Sequence, residues 1–304
     1  MLGAAATTMA MRQFRYHTCD VFTDRRFGGN PLAVLNDARG LDDGTMQAIA
    51  REFNFSETTF VTAPADRHHT ARVRIFTPGG ELPFAGHPTV GTAFVLSSIG
   101  ATSGASELVF EEGVGPVRVR VDRRGGRIER CTLTTAILPG RLASIGQRAR
   151  LAAMLGLHAA EVVGPGEVWS CGVAFTVVPL ASVNALERAR LDRDRWVRLL
   201  GEHVGHKVYP IARVDGTTWR VRMFAPSVGV AEDPATGSAA AALAGWLAAR
   251  EPPSNGTRRW RILQGEEIGR PSEIALEADL VDGSPAAVRV GGRCVMIGEG
   301  MLLL

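Results

Sequence analysis

Two stretches of the chain place groups able to carry a proton at the mouth of an apolar helix. They are HPTVGTA at 87–93 and DPATGSA at 233–239, in a chain of 304 residues. In each, a titratable residue precedes Pro, small residues, Gly, a hydroxyl and Ala, and an apolar run follows. Pro at the first helical position has no N–H to leave unsatisfied and a φ already suited to a helix. The pattern predicts two helix starts, with His87 and Asp233 at matching N-cap positions. Asp is a favoured cap, stabilised by backbone N–H groups and the helix dipole; His is not. Capping therefore accounts for Asp233 alone but poorly for the pair, and capping and proton transfer both stay open for Asp233. The small residues beyond each Pro, Gly237 and Ser238 among them, leave first-turn amides open to a carboxylate. A third group, Glu57 in NFSETTFV, shares a strand face with Phe55, Thr59 and Val61. A carboxyl on a partly apolar face acquires the raised pKa that a general base needs near neutrality. The same spacing also describes a Glu exposed on a strand.

These groups need elements to hold them. Short β-branched or alternating runs bounded by Gly, Pro and Asp predict strands at 14–22, 57–63, 70–77, 114–121 and 127–133, then at 173–179, 217–224, 258–264 and 286–296. DDGTMQAIAREF at 42–53 spaces Met46, Ile49, Ala50 and Phe53 at helical intervals. Further helices are predicted at 88–98, 145–155, 192–204 and 234–249. Few helices among hairpin-linked strands mean an α+β architecture rather than a doubly wound sheet. The chain also repeats itself: VRIFTP at 73–78 returns as VRMFAP at 221–226, and each leads through a loop, of eight residues and then six, to its helix-start motif. The reading is a duplication with one lobe per copy. The two helix N-termini then lie close together, and His87 and Asp233 flank one solvent-reachable cleft.

Composition sets the outer limits. A hydrophobic content of 45% supports real cores, and the length fits about two domains of ordinary size. Lys and Arg exceed Asp and Glu by only 34 to 31, which argues against nucleic acid or a membrane surface as a partner. RRGGR at 123–127 reads as a hairpin tip. No apolar run approaches the roughly 20 residues that span a bilayer. Residues 1–13 read as a disordered extension without the features of a secretory signal, so a cytoplasmic location is expected. Cys19, Cys131, Cys171 and Cys294 show neither CxxC pairs nor zinc spacing and are expected as free thiols, Cys171 within a strand. His68, His69, His158, His203 and His206 lack metal-ligand partners, and no phosphate-binding loop is present. Neither a metal nor a nucleotide cofactor is expected.

GGNPLAV (28–34), NFSETTFV (54–61), TPGGELPFAGHPTVGTA (77–93), EDPATGSAA (232–240) and QGEEIGRPS (264–272) resemble the signature blocks of the PhzF-like phenazine-biosynthesis isomerase family. The resemblance covers nearly the whole chain from Phe14. That family is similar in fold to diaminopimelate epimerase. The resemblance implies two duplicated lobes, each a barrel-like, mostly antiparallel sheet around a central helix, at 14–135 and 136–292. A last strand at 293–304 would return to the N-terminal lobe. It further implies a cofactor-independent isomerase that moves a proton on a small carboxylic acid bound between the lobes. Glu57 would be the general acid/base, with His87 and Asp233 as its catalytic companions and Gly86, Gly237 and Ser238 at the substrate. The phenazine-pathway member acts on dihydro-hydroxyanthranilate; the motif blocks name no substrate for this chain. Family relatives are often dimers, and the sequence neither demands nor forbids a homodimer. Related epimerases work with two cysteines, one on each side of the substrate carbon. Neither helix-start motif here contains Cys, which disfavours that mechanism. Two other readings stay open: an epimerase-like carbanion enzyme on another small acid, and a catalytically idle ligand-binding protein.

Overall fold

The computed structural model of the protein describes residues 11–304. The extension read at 1–13 lies outside the described residues at 1–10. Arg12, counted with it, exchanges backbone hydrogen bonds with Leu304 at 2.7 and 2.9 Å, and Gln13 opens the first strand. Gln13 belongs to the sheet, and Arg12 is fastened just beyond its edge.

The first half of the chain runs β1 (Gln13–Val21), β2 (Asn30–Leu35), α1 (Asp43–Phe53), β3 (Glu57–Thr62), β4 (Ala71–Thr77), β5 (Gly80–Leu82), α2 (Gly86–Ser98), β6 (Glu107–Glu112), β7 (Gly115–Arg124) and β8 (Arg127–Thr134). The second runs β9 (Gly140–Ile145), α3 (Arg148–Met154), β10 (Gly166–Ser170), β11 (Ala174–Pro179), α4 (Val183–Arg188), α5 (Arg193–Leu200), β12 (Lys207–Arg213), β13 (Thr218–Val221), α6 (Gly237–Ala248), β14 (Gly256–Gln264), β15 (Ser272–Val281), β16 (Ser284–Gly292) and β17 (Cys294–Leu303). Side chains alternate across a strand, so a period of two buries one face. In β7, Val117, Val119 and Val121 are buried while Arg118 and Arg120 face water. RRGGR is a hairpin tip between β7 and β8: Gly125 and Gly126 take φ of 58° and 78°, the positive values that a two-residue type I′ turn requires.

The pairings repeat. The strands form one hydrogen-bonded ribbon in the order β17–β1–β2–β3–β4–β6–β7–β8, joined through β8–β16 to the series β9 to β16. The first series has parallel pairs at β2–β3 and β4–β6. The second has them at the same places, β11–β12 and β13–β14. Every other neighbouring pair is antiparallel. Parallel neighbours need a crossover, supplied by α1 and α2 in one lobe and by α4–α5 and α6 in the other. The architecture is the α+β duplication that the sequence predicts. The run read as one strand at 286–296 is two, because β16 ladders with β15 and β8 whereas β17 leaves to pair with β1. Cys171 lies one residue beyond β10, in a bend, with its thiol on the Ile137 carbonyl.

The helices α2 and α6 are buried on nearly every side. A helix with apolar residues around its whole circumference has no face to turn to water, so each becomes the axis of a lobe. Val73, Ile75 and Phe110 lie in the core around α2, and Phe175, Tyr209 and Ile262 in the core around α6. The opposite strand faces are covered by α1 over Phe60 and Phe76 and by α3 to α5 over Val178 and Val208. Among the described residues no helix is long and apolar enough to cross a membrane.

Candidate active site

The two central helices meet at their N-terminal ends. A methyl group on Gly86 would stand 3.1 Å from the Cα of Gly237 and 3.2 Å from the Ser238 amide nitrogen; one on Gly237 would stand 3.3 Å from the Cα of Gly86. Backbones come this close only where no Cβ intervenes. The N-termini are adjacent, yet their register differs from the one predicted. α2 begins at Gly86 behind the N-cap Ala85, so His87 is the second helical residue. α6 begins at Gly237 behind the N-cap Thr236, and Asp233 lies before the helix altogether. Neither His87 nor Asp233 is a cap, and neither Pro88 nor Pro234 is a first helical residue.

The cause lies upstream. Arg74 on β4 forks onto Glu81 at 2.6 and 2.7 Å. Arg222, one residue past β13, forks onto Glu232 at 2.6 and 2.8 Å. Glu81 precedes Gly86 by the same interval that separates Glu232 from Gly237. The structural repeat therefore matches Gly86 with Gly237 and His87 with Ser238. The second copy holds its extra residues before Glu232, and its Asp-Pro only imitates the His-Pro of the first.

Glu57 opens β3 beside Leu32 of β2, and its side chain is 16% exposed. Phe55 precedes the strand; Thr59 and Val61 share the inward face. Glu57 Oε2 lies 3.5 Å from His87 Nε2, and neither atom has a hydrogen-bond partner. Burial, reinforced by the Asp233 carboxylate, pushes Glu57 up to about 8. Burial pushes His87 down to about 3, opposed by a hydrogen bond to the Pro31 carbonyl. Since Nε2 is the unpartnered nitrogen, Nδ1 carries the hydrogen that Pro31 accepts. Nε2 then presents its lone pair to Glu57.

Asp233 is 6% exposed. Its Oδ1 accepts from Asn30 Nδ2 at 2.9 Å and its Oδ2 from Thr236 Oγ1 at 2.5 Å. Gln264, at the end of β14, donates to the Asp233 carbonyl at 2.8 Å and to Thr236 Oγ1 at 3.0 Å, and accepts from the Thr236 amide at 3.2 Å. Burial raises Asp233 to about 6 against these bonds. The carboxylate is thus engaged by side chains rather than by the first turn of α6. Sequence reasoning misses Asn30, Ser56, Thr236 and Gln264. Their types and spacing mark nothing, and the one signal is that each falls inside a quoted block.

The cleft expected between His87 and Asp233 is closed. His87 is 4% exposed, and grooves of about 430, 480 and 670 Å³ elsewhere on the surface are lined by other residues. Ser238 keeps partial exposure at the second position of α6. Neither N-cap contributes a side-chain bond, and a helix leaves its own first amides unanswered. The amides of Gly86, His87, Gly237 and Ser238 are therefore available to an anion. One neutral acid, one imidazole lone pair, one carboxylate and two helix N-termini converge here. That set can move a proton and stabilise the charge left behind.

Residues 19–300 match the family model described as phenazine biosynthesis-like protein. The chain is 42% identical over 303 residues to an uncharacterized isomerase of Mesorhizobium japonicum, covering 97% of this chain and 100% of that protein. It is 39% identical over 290 residues to the trans-2,3-dihydro-3-hydroxyanthranilate isomerase of Pseudomonas aeruginosa, covering 95% and 99%. A PhzF-family phenazine biosynthesis protein of Bacillus anthracis superposes with a TM-score of 0.87 at 25% identity, over 97% of this chain and 100% of that one. A hydroxyproline epimerase from Agrobacterium vitis shares the fold at a TM-score of 0.62 and 14% identity, over 96% and 93%.

Proposed function

The chain belongs to the phenazine biosynthesis-like family, and from that premise we propose that it is an isomerase moving a proton on a small carboxylic acid held between lobes 14–135 and 136–292, with Glu57 as the acid/base group. The observation that carries this reading is the cluster of Glu57, His87 and Asp233 beside two abutting helix starts. Burying three titratable side chains costs stability, and such clusters of shifted groups gather where chemistry needs them.

In its ionised form Glu57 takes a carbon-bound proton and returns it to another carbon of the same molecule. A group titrating near 8 is a minority base at neutral pH but a strong one. The His87 lone pair accepts a polar hydrogen of the substrate, and the Asp233 charge keeps Glu57 basic. Amides at the starts of α2 and α6 hold the substrate carboxylate and the charge that develops as the proton leaves. Neither a metal nor a nucleotide takes part. Substrate enters when the lobes part near the Gly86–Gly237 contact, a gating step of a common kind.

The test is incubation in D₂O with trans-2,3-dihydro-3-hydroxyanthranilate, the compound named for the Pseudomonas aeruginosa relative, alongside a panel of small unsaturated carboxylic acids, followed by NMR. One compound should isomerise and gain solvent deuterium, and Glu57→Gln should abolish both. Exchange without net isomerisation would make the protein an epimerase-like enzyme. Binding without any exchange would make it a binding protein. Either result overturns the reading.

A further inference from the structure

The hydrogens around Asp233 have fixed directions. Gln264 Nε2 donates to Thr236 Oγ1, so the hydroxyl hydrogen of Thr236 is left to point at Asp233 Oδ2. Asn30 Nδ2 donates to the Ala235 carbonyl at 2.9 Å, and Asn30 Oδ1 accepts from Ser56 Oγ at 2.9 Å. A carbonyl takes only donors, so the NH₂ end of Asn30 faces Asp233. Both carboxylate oxygens are acceptors, and a proton on either would displace one of these donors.

Asn30 is completely buried on β2, whereas Asp233, Thr236 and Gln264 belong to the other half of the chain. We propose that Asn30 is a positioning residue that reaches across the lobe junction to hold Asp233 as an anion, so that of the two buried carboxyls it is Glu57 that keeps its proton. The proposal deepens the isomerase reading and rests on it for its purpose, but it concerns the free protein. The titratable groups around the pair are few. Glu57 faces Asp233 from β3 and His87 faces Glu57 from α2. Tyr209 faces Asp233 from β12, its phenol raised further by that carboxylate and so neutral. Glu232, next in the chain, is held by Arg222, and Glu112 is engaged by Thr89. The donors from Asn30 and Thr236 are thus what keeps a buried carboxylate charged with no cation bonded to it.

The experiment is a carboxyl ¹³C NMR titration of the free protein, with Asp233 and Glu57 assigned through Asp233→Asn and Glu57→Gln. In the wild type Asp233 should lose its proton at lower pH than Glu57. In Asn30→Leu, and independently in Thr236→Val, Asp233 should titrate higher by about one pH unit or more, a tenfold change in proton affinity, as follows from losing a hydrogen bond to the charged form. Glu57 should titrate lower, relieved of its charged neighbour. A purely structural role would lower the melting temperature and leave both titrations in place. Unchanged titration of Asp233 in whichever variant folds overturns the proposal, and so does a wild type in which Glu57 ionises first. No substrate is needed, so this result and the deuterium test stand or fall separately.

Discussion

Oε2 of Glu57 and Nε2 of His87 face each other across 3.5 Å, and in the closed site neither has another partner. The pair is neutral: burial keeps the proton on Glu57 and off His87. Glu57→Gln exchanges one neutral group for another of the same shape and removes a carboxyl that only the unfolded chain ionises at neutral pH, so it should fold and be at least as stable as the wild type there. Its turnover should fall by a factor on the order of 10² to 10⁴, the usual range for general acid/base catalysis. Thermal unfolding and kcat measured on the same preparations check this. Wild-type turnover would return Glu57 to the rank of an ordinary strand residue.

The buried acids also set a pH dependence of stability. Glu57 and Glu112 are both pushed by burial from 4.5 to about 8. The folded chain then keeps protons that the unfolded chain releases, and stability present below 4.5 is lost as pH rises through 8. His87, lowered from 6.5 to about 3, acts oppositely: its contribution is lost as pH falls below 6.5. Between 6.5 and 8 the two acids act without it. Urea unfolding should show stability falling with pH there, by up to about 1.4 kcal/mol per pH unit for each acid. Glu112→Gln should remove its share and flatten the fall. A variant with the same slope as wild type would contradict the assignment.

Gly86 is where the two lobes touch backbone to backbone. In Gly86→Ala the new methyl meets the Cα and carbonyl carbon of Gly237 and the Ser238 amide nitrogen at 3.1 to 3.2 Å, none of which can swing aside. Overpacking of this kind costs about 1–3 kcal/mol. Turnover should fall with stability, because both helix starts are displaced from Glu57. An alanine variant with wild-type melting temperature and activity would show that the lobes have slack here.

The repeated arginines should differ in weight. Arg222 is 3% exposed and its guanidinium also bonds the Ala189 carbonyl at the end of α4. Arg222→Ala leaves the half-buried Glu232 without its partner beside Asp233, and breaking such a buried pair costs about 3–5 kcal/mol. Arg74 holds the more exposed Glu81 and Asp43, so Arg74→Ala should cost about 1 kcal/mol or less. Denaturant midpoints of the two variants provide the comparison, and equal losses would refute it.

Much of this was legible in the chain. VRIFTP and VRMFAP exposed the duplication because their alternating apolar residues line the same inner strand face twice. The helices α2 and α6 were visible in apolar runs. The register of the helix starts was not. His-Pro and Asp-Pro look equivalent by spacing, but the loops before them differ in length, and only the Arg74–Glu81 and Arg222–Glu232 forks of the folded chain show which residues correspond. Asn30 and Gln264 were illegible for a related reason: an amide acquires meaning only from the donors and acceptors that folding brings to it. Strands such as β10 and β12 escaped notice because runs buried on both faces lack alternation.

The pairing of β17 with β1 has a consequence for synthesis. The strands of the second repeat, β9 to β16, form a contiguous stretch and can assemble as they leave the ribosome. The first repeat cannot. One edge of β1 stays open until residues 294–303 emerge to cover it, since the ladder joins Gln13 to Leu303. Domains generally fold from the N-terminus as they are made, yet here the lobe translated first is the lobe completed last. An uncovered strand edge is a template for pairing with another chain. A molecule still lacking β17, or clipped before it, would therefore carry its aggregation hazard on β1, in the opposite half of the described chain.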